Sequence, residues 1–324
     1  MFCGKNLVCI GGGTGLSVML RKLKTVTPNV TAVVTVADDG GGSGTLRNDF
    51  KMLPPGDIRQ CILALSQTEP LMKELLTYRF TGGALDGQSF GNLFLAAMNG
   101  ISGGNFVDAV KKVSRVLRVT GQVLPVTDCD VFLKATLKNG ISVYGESQIG
   151  QSTRSFSCPI ESVSLEPTDP NRKIAPLPEV LTAIEAADVI LLGPGSLYTS
   201  ILPNLIVPKI AAAIKSASAP VVYINNIMTQ PGETDGYTAS DHIKAILLHT
   251  FSDFIDYCIV NIEKIPERIL KRYKRDGACE VLPDIEEIRK LGITVIEENL
   301  VEITSEELVR HNSSRLSEAI SKII

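Results

Sequence analysis

Gly11, Gly12, Gly13, Thr14 and Gly15 follow directly on the apolar run "LVCI" at 7–10. Glycines let the main chain turn tightly and let a ligand approach its N–H groups. A helix opening at such a turn presents unpaired N–H donors and the positive end of its dipole, a natural seat for phosphate. Thr14 adds a hydroxyl. The spacing departs from the dinucleotide fingerprint, because a G-x-G-x-x-G pattern begun at Gly11 puts Leu16 at its third glycine. No Gly-Lys-Ser/Thr follows, so this is not a Walker A loop either. A nicotinamide-dependent oxidoreductase fits the turn poorly.

Asp38 and Asp39 end a second apolar run and lead into "GGGSGTLR" at 40–47. Two carboxylates at the C-terminal end of a strand stand where α/β sheets place ligands. They can accept hydrogen bonds from a sugar, or hold Mg2+ against a diphosphate. Aspartate before glycine is also an ordinary turn former. Ser43 and Gly44 offer a second anion cradle. Arg47 and Arg59 are phosphate partners by type, with Asp49 and Asp57 as alternative partners. In "PPGDIRQ", Asp57 suits a helix cap as well as a metal. In "GQSFGNLF", Gln88, Ser89 and Asn92 need partners if buried, and either a substrate or backbone caps would serve.

A third apolar strand, at 189–192, runs into "GPGSLYTSILPNL". Gly193, Gly195 and Ser196 can present backbone N–H groups, and Asn204 can read a base or a sugar. Two glycine loops at strand ends of one sheet are expected to wall one crevice that grips a diphosphate. The polar run "NNIMTQPGETDGY" also follows a strand and supplies Asn226 and Thr229 as neutral partners for a base or sugar hydroxyls. His242 is read as a cap or core partner, and "KRYKR" at 271–275 as a solvated face. No G-x-S-x-G elbow and no zinc-ligand spacing occurs.

These residues need a frame that brings strand ends together. Strand, glycine turn, helix and strand alternate over 7–39, and the rhythm resumes after 180. The strands are continuous apolar runs, as a parallel sheet covered on both faces requires. The expected fold is α/β: a Rossmann-like, doubly wound, mostly parallel sheet. Residues 40–60 read as a glycine-rich active-site loop. Residues 120–165 read as an antiparallel β excursion, a β-hairpin insertion around "KNG". Residues 1–324 are expected to form one Rossmann-like domain, with 265–324 as a C-terminal α/β closing segment.

Bulk properties narrow the partners. The chain has 324 residues, 44% hydrophobic and 21% charged, and a formal net charge of -3. That gives no overall attraction to nucleic acid or to an anionic membrane. The seven cysteines, Cys3, Cys9, Cys61, Cys129, Cys158, Cys258 and Cys279, form no CxxC pair, which suits free thiols in a reducing compartment. Neither a signal peptide nor a membrane span is read, so a cytoplasmic location without membrane insertion is expected. A homodimer is expected only as the commonest oligomer.

"GGGTGLS", "VTVADDGGGSGTLR", "LPPGDIRQCILAL", "GQSFGNLFLAA", "GPGSLYTSILPNL" and "NNIMTQPGETDGY", in that order, resemble the gluconeogenesis-factor proteins of bacteria. These sit within the superfamily of the 2-phospho-L-lactate transferases. The resemblance covers residues 7 to 315. It implies a ligand site at the strand ends of a Rossmann-like fold. The transferase relatives join a phospholactyl-type group from a guanosine-diphosphate donor to a deazaflavin alcohol with Mg2+, held by acidic residues that match Asp38 and Asp39. The gluconeogenesis-factor branch implies binding of a UDP-sugar such as UDP-N-acetylglucosamine, and a regulatory role in cell shape and peptidoglycan precursor synthesis on gluconeogenic carbon sources. Cell-wall or regulatory proteins would be its partners. The match puts Thr14 and Asn204 at the ligand. Gly42 stands where many relatives carry serine.

Overall fold

The computed structural model describes residues 4–323; Cys3 lies outside them. The chain opens with β1 (Leu7–Gly11), α1 (Gly13–Leu23) and β2 (Val30–Val34). Five helices follow: α2 (Gly41–Phe50), α3 (Gly56–Leu65), α4 (Pro70–Thr77), α5 (Phe90–Ile101) and α6 (Phe106–Val116). Caps explain where several begin. Ser89 accepts the Asn92 N–H at the start of α5, and Asn105 does the same for Asp108 in α6. Proline occupies the opening of α4, where its missing N–H costs nothing.

The excursion then forms from β3 (Gln122–Pro125), β4 (Val131–Leu137), β5 (Ser142–Tyr144), α7 (Glu146–Phe156) and β6 (Ile160–Pro167). The α/β rhythm returns with α8 (Pro178–Glu185), β7 (Val189–Leu192), a π-helical turn (Leu197–Ile201) running into α9 (Leu202–Leu205), α10 (Ile210–Ser216), β8 (Val221–Ile224), α11 (Ala239–His249) and β9 (Tyr257–Asn261). Last come α12 (Glu267–Arg275), α13 (Ile285–Lys290), β10 (Thr294–Glu298), the pair β11 (Val301–Ile303) and β12 (Val309–His311), and α14 (Ser313–Ser321).

Seven strands make one sheet in the order β10-β9-β8-β7-β1-β2-β3. Every pairing in it is parallel. The chain first winds outward from β1 through β2 to β3, then returns to β7 on the other side of β1 and winds the opposite way. The switch point therefore lies between β1 and β7, where open α/β sheets place ligands. Side chains alternate across the sheet: Leu7 and Cys9 join the core beneath α1, α3 and α14, while Val8 and Ile10 join the core shared with α8, α10, α11 and the small sheet. Burial on both faces is why β1 and β2 read as unbroken apolar runs.

Two expectations need correction. The excursion begins at β4, because β3 pairs in parallel with β2 as an edge strand of the main sheet. The antiparallel sheet has the order β5-β4-β6, and α7 fills the return between β5 and β6. Residues 40–60 are also not one long loop: 41–50 form α2 despite the glycines at its start. Leu46 is buried in the core, and Arg47 docks the helix onto β4. Arg47 is 5% exposed, donates to the Val131 carbonyl at 2.6 Å, pairs with Asp130 at 2.7 Å, and lies over the Phe132 ring at 4.9 Å. It is a strut between α2 and the antiparallel sheet, not a phosphate partner, and Asp49 is not its ion pair.

No single helix among the described residues is long and apolar enough to cross a membrane. The six described cysteines are unpaired. Replacing Arg47 by alanine is expected to cost about 2 kcal/mol, the worth of charge-assisted hydrogen bonds. A lower urea midpoint with an unchanged slope would show it; an unchanged midpoint would remove the strut.

Candidate functional site

The glycine turns after β1 and β7 touch. β1 and β7 are neighbours, with the Gly193 N–H donating to the Ile10 carbonyl at 2.9 Å. A Cβ on Gly15 would lie 2.7 Å from the Pro194 carbonyl oxygen, and one on Gly195 would lie 3.3 Å from the Gly12 carbonyl oxygen. Only glycine lets the opening of α1 lie this close to the second turn. Gly13 has φ 68°, a left-handed backbone that glycine adopts without strain. Asn204 is fully buried beneath the turns, and its Nδ2 donates to the carbonyls of Gly11 at 3.0 Å and Ser200 at 2.7 Å. The expected base- or sugar-reading asparagine is thus a clamp on both turns and does not line the cavity.

Above the turns opens a cavity of about 440 Å³. Its floor is Gly12, Gly13, Thr14 and Gly15 on one side and Pro194, Gly195, Ser196 and Ser200 on the other. The first N–H groups of α1 have no acceptor within the helix; that of Gly13 donates to Asp57, and the others and the dipole face this space. Asn226 and Thr229 line the next wall with Met228 and Gln230. The Thr229 hydroxyl oxygen already accepts the Cys279 N–H at 2.9 Å, so its side chain braces the loop. Thr14 is exposed, with its hydroxyl 3.5 Å from Gln60 Oε1. Gly193 does not line the cavity; it shapes the bend into the second turn with φ 86°.

The far wall comes from residues that sequence reasoning missed. Tyr273, Asp276, Arg310 and His311 line it. The Tyr273 hydroxyl accepts the Val309 N–H at 2.9 Å and so fastens α12 to β12. His311 Nε2 donates to the Asn225 carbonyl at 2.9 Å, and burial lowers its pKa to about 4, so it is neutral here. Arg310 has no carboxylate within 4.0 Å among the described residues and is free to meet an anion. Tyr273 stood inside "KRYKR". The surrounding cations do face solvent, with Lys271 on Glu267 at 3.3 Å and Arg272 on Glu307 at 3.7 Å. The i, i+4 pair Ile269 and Tyr273 was the overlooked sign of an inward face.

Beside the floor lies a group of carboxylates. Asp57, in the first turn of α3, presses on the glycine turn so closely that a Cβ on Gly12 would be 2.5 Å from its Oδ2. Burial lifts its pKa to about 6, Asp38 adds to the lift, and the Gly13 N–H and Arg59 oppose it. Glu146 rises to about 7 through burial and then the charges of Asp38, Asp39 and Asp57. Glu233 rises to about 8 through burial and then Glu146. The buried Thr199 hydroxyl and Glu233 Oε2 have no hydrogen-bond partner among the described residues. Asp38 Oδ1 accepts the Gly40 N–H at 2.9 Å, and Asp39 Oδ1 accepts the Ser147 N–H at 2.8 Å. Asp39 therefore faces α7, whereas Asp38 faces Asp57. Ser43 lies within the first turn of α2, its hydroxyl against Gly56. Asn92 stays apart from the cavity; its Oδ1 accepts from Arg59 Nε at 2.8 Å.

A relative from Thermoanaerobacterium thermosulfurigenes is 55% identical over 99% of this chain and 97% of its own length. The Bacillus subtilis relative, named a gluconeogenesis factor, is 47% identical over 98% of each chain. The chain belongs to the gluconeogenesis-factor family. A family model described as 2-phospho-L-lactate transferase CofD matches residues 7–301 of this gluconeogenesis-factor chain. A Bacillus halodurans crystal structure superposes with a TM-score of 0.93 at 46% identity, covering 98% of this chain and 99% of that one. The parallel sheet and the excursion are thus those of a family with a solved fold.

The raised carboxyls of this family member make a pH prediction. The folded state holds the Glu233 proton up to about pH 8, whereas its ordinary value is 4.5, so the unfolded chain has lost it well before. Wherever the folded state binds more protons, stability falls as pH rises. Wild-type protein should therefore lose stability relative to Glu233→Gln as pH climbs between those two values. Melting both proteins across this range tests it; a difference that stays constant with pH would contradict the assignment.

Proposed function

We propose that the cavity holds a UDP-sugar, with UDP-N-acetylglucosamine the expected ligand. In this reading the protein is a regulatory factor for cell morphogenesis and cell-wall precursor synthesis under gluconeogenic growth. One observation carries the reading: two main-chain turns, in contact with each other, floor a cavity that also contains Arg310 without a described ion-pair partner. A diphosphate suits such a floor, since fixed N–H donors and a helix dipole favour an anion without the loss of side-chain freedom. Arg310 adds full charge and a forked donor set. Asn226 and Gln230 offer neutral donors and acceptors for a sugar or pyrimidine edge, and Tyr273 offers an aromatic wall. The volume falls in the range of small-molecule sites.

A second reading, a Mg2+-dependent transferase of a phospholactyl-type group from a nucleoside-diphosphate donor to an alcohol, is favoured by the carboxylates beside the floor. Among the described residues no three His, Cys, Asp or Glu side chains converge to hold a metal by themselves. Mg2+ is commonly bound by one or two carboxylates completed by substrate phosphates, so this donor set fits it. Asp38 and Asp57 would hold it, with Asp39, whose Oδ1 accepts the Ser147 N–H, beside Glu146. The ion would supply charge stabilisation on the diphosphate. The Gly15 turn would orient the same group, and Glu146 would stand ready to take a proton near neutral pH.

Titration calorimetry with UDP-N-acetylglucosamine separates these readings. Saturable binding is expected, weakened roughly ten-fold or more in Arg310→Ala, as loss of a charge-assisted contact implies. Binding should be unchanged in Arg47→Ala, whose side chain serves the fold. Absence of heat, or equal affinity in Arg310→Ala, would sink the UDP-sugar reading. Turnover of a guanosine-diphosphate-linked phospholactyl donor with Mg2+ would instead promote the transfer reading.

A further inference from the structure

Arg59 and Arg79 are left unused by the cavity. Asp57 and Arg59 stand two positions apart on α3, so their side chains leave opposite sides of the helix. Asp57 faces the glycine turn; Arg59 faces α5. The Arg59 stem crosses α5 at Gly91, where a Cβ would lie 2.6 Å from Arg59 Cδ. Its Nε is pinned on Asn92 Oδ1 at 2.8 Å. That bond uses one edge of the guanidinium and leaves both Nη groups without an acceptor among the described residues.

Arg79 is brought alongside by backbone pairing. It forms an antiparallel bridge with Ser89, the cap of α5, and one of its Nη groups donates to the Gly87 carbonyl. Arg79 sits near enough for its charge to disfavour that of Arg59. Neither guanidinium has a carboxylate within 4.0 Å among the described residues, although surface arginines elsewhere do, such as Arg315 on Glu263 at 2.9 Å. Next to Ser89, Gln88 is 8% exposed, and its side-chain oxygen is buried against Gly42 with no partner.

Two cations held at the start of one helix disfavour each other's charge. An oxyanion relieves this, because its several oxygens can engage two guanidinium forks at once. We propose that Arg59 and Arg79 form an oxyanion subsite for the phosphate or carboxylate group of a second small molecule, separated from the glycine-turn cavity by α3. The position lies on the opposite side of α3 from Asp57, so a second ligand seated there rests on the α5 side.

The test uses the full chain and two probes, inorganic phosphate and malonate, titrated at constant ionic strength with saturating UDP-N-acetylglucosamine present and absent. Thermal stabilisation of the folded protein reads out binding. At least one probe should stabilise the protein saturably in both conditions, and the stronger of the two identifies the ligand's group as phosphate or carboxylate. Arg79→Gln should weaken that response roughly ten-fold, and Arg79→Lys should restore part of it. Because Arg79 is exposed, Arg79→Gln should melt near the wild-type temperature and bind UDP-N-acetylglucosamine as before. No response to either probe, or an equal response in Arg79→Gln, overturns the subsite. So does a response that vanishes when UDP-N-acetylglucosamine binds, since the probe then occupies the glycine turns. Failure of UDP-N-acetylglucosamine to bind would count against the first cavity alone, because the Arg79 variants read the subsite without it.

Discussion

The near-contact of two main-chain turns is the constraint on which the site depends. The first turn of α1 and the bend after β7 approach until a single methyl group at Gly15 would strike the Pro194 carbonyl. Such closeness needs three things together: adjacent parallel strands, glycine at the contact, and a buried donor to bind the carbonyls that face inward. β1 and β7 supply the first, and Asn204 supplies the last with two hydrogen bonds. An asparagine is well suited because one amide nitrogen can serve two carbonyls from different turns. The floor of the cavity is thus built from main chain, whose donors stay fixed whatever the ligand.

A floor of main-chain N–H donors beside several carboxyls looks contradictory until their protonation is considered. Burial and mutual repulsion keep Asp57, Glu146 and Glu233 at about 6, 7 and 8. Near neutral pH the group therefore carries fewer negative charges than its residue count suggests. An arriving anion and these protons favour one another, whereas a cation and these protons compete. The same pocket can thus favour an anion alone, or an anion with a divalent cation, depending on which partner arrives.

Much of the frame was legible in the chain because parallel strands and capped helices leave local marks. The apolar runs of β1, β2 and β7, the "KNG" turn of the small sheet and the Ser89 cap all rest on nearby residues. The misreadings share a different cause. α2 forms over three glycines because Leu46 and Arg47 find partners in the core and on β4, more than eighty positions on. Asn204 looked like a ligand reader because its partners, Gly11 and Ser200, can be recognised only once β1 and β7 are side by side. Tyr273, Arg310 and His311 carry no motif, and their convergence is decided by single bonds from Tyr273 to Val309 and from His311 to Asn225. The resemblance to the gluconeogenesis-factor family rested on six motifs, of which the turns at 11–15 and 193–196 and the run at 225–237 contribute residues to the cavity.

The wall containing Arg310 is made by β12, which is held in place from behind by α12 and by the Asn225 carbonyl. During translation the glycine turn emerges early and its opposite wall only some three hundred residues later. A folding intermediate without β12 therefore has the main-chain floor but not the wall that faces it.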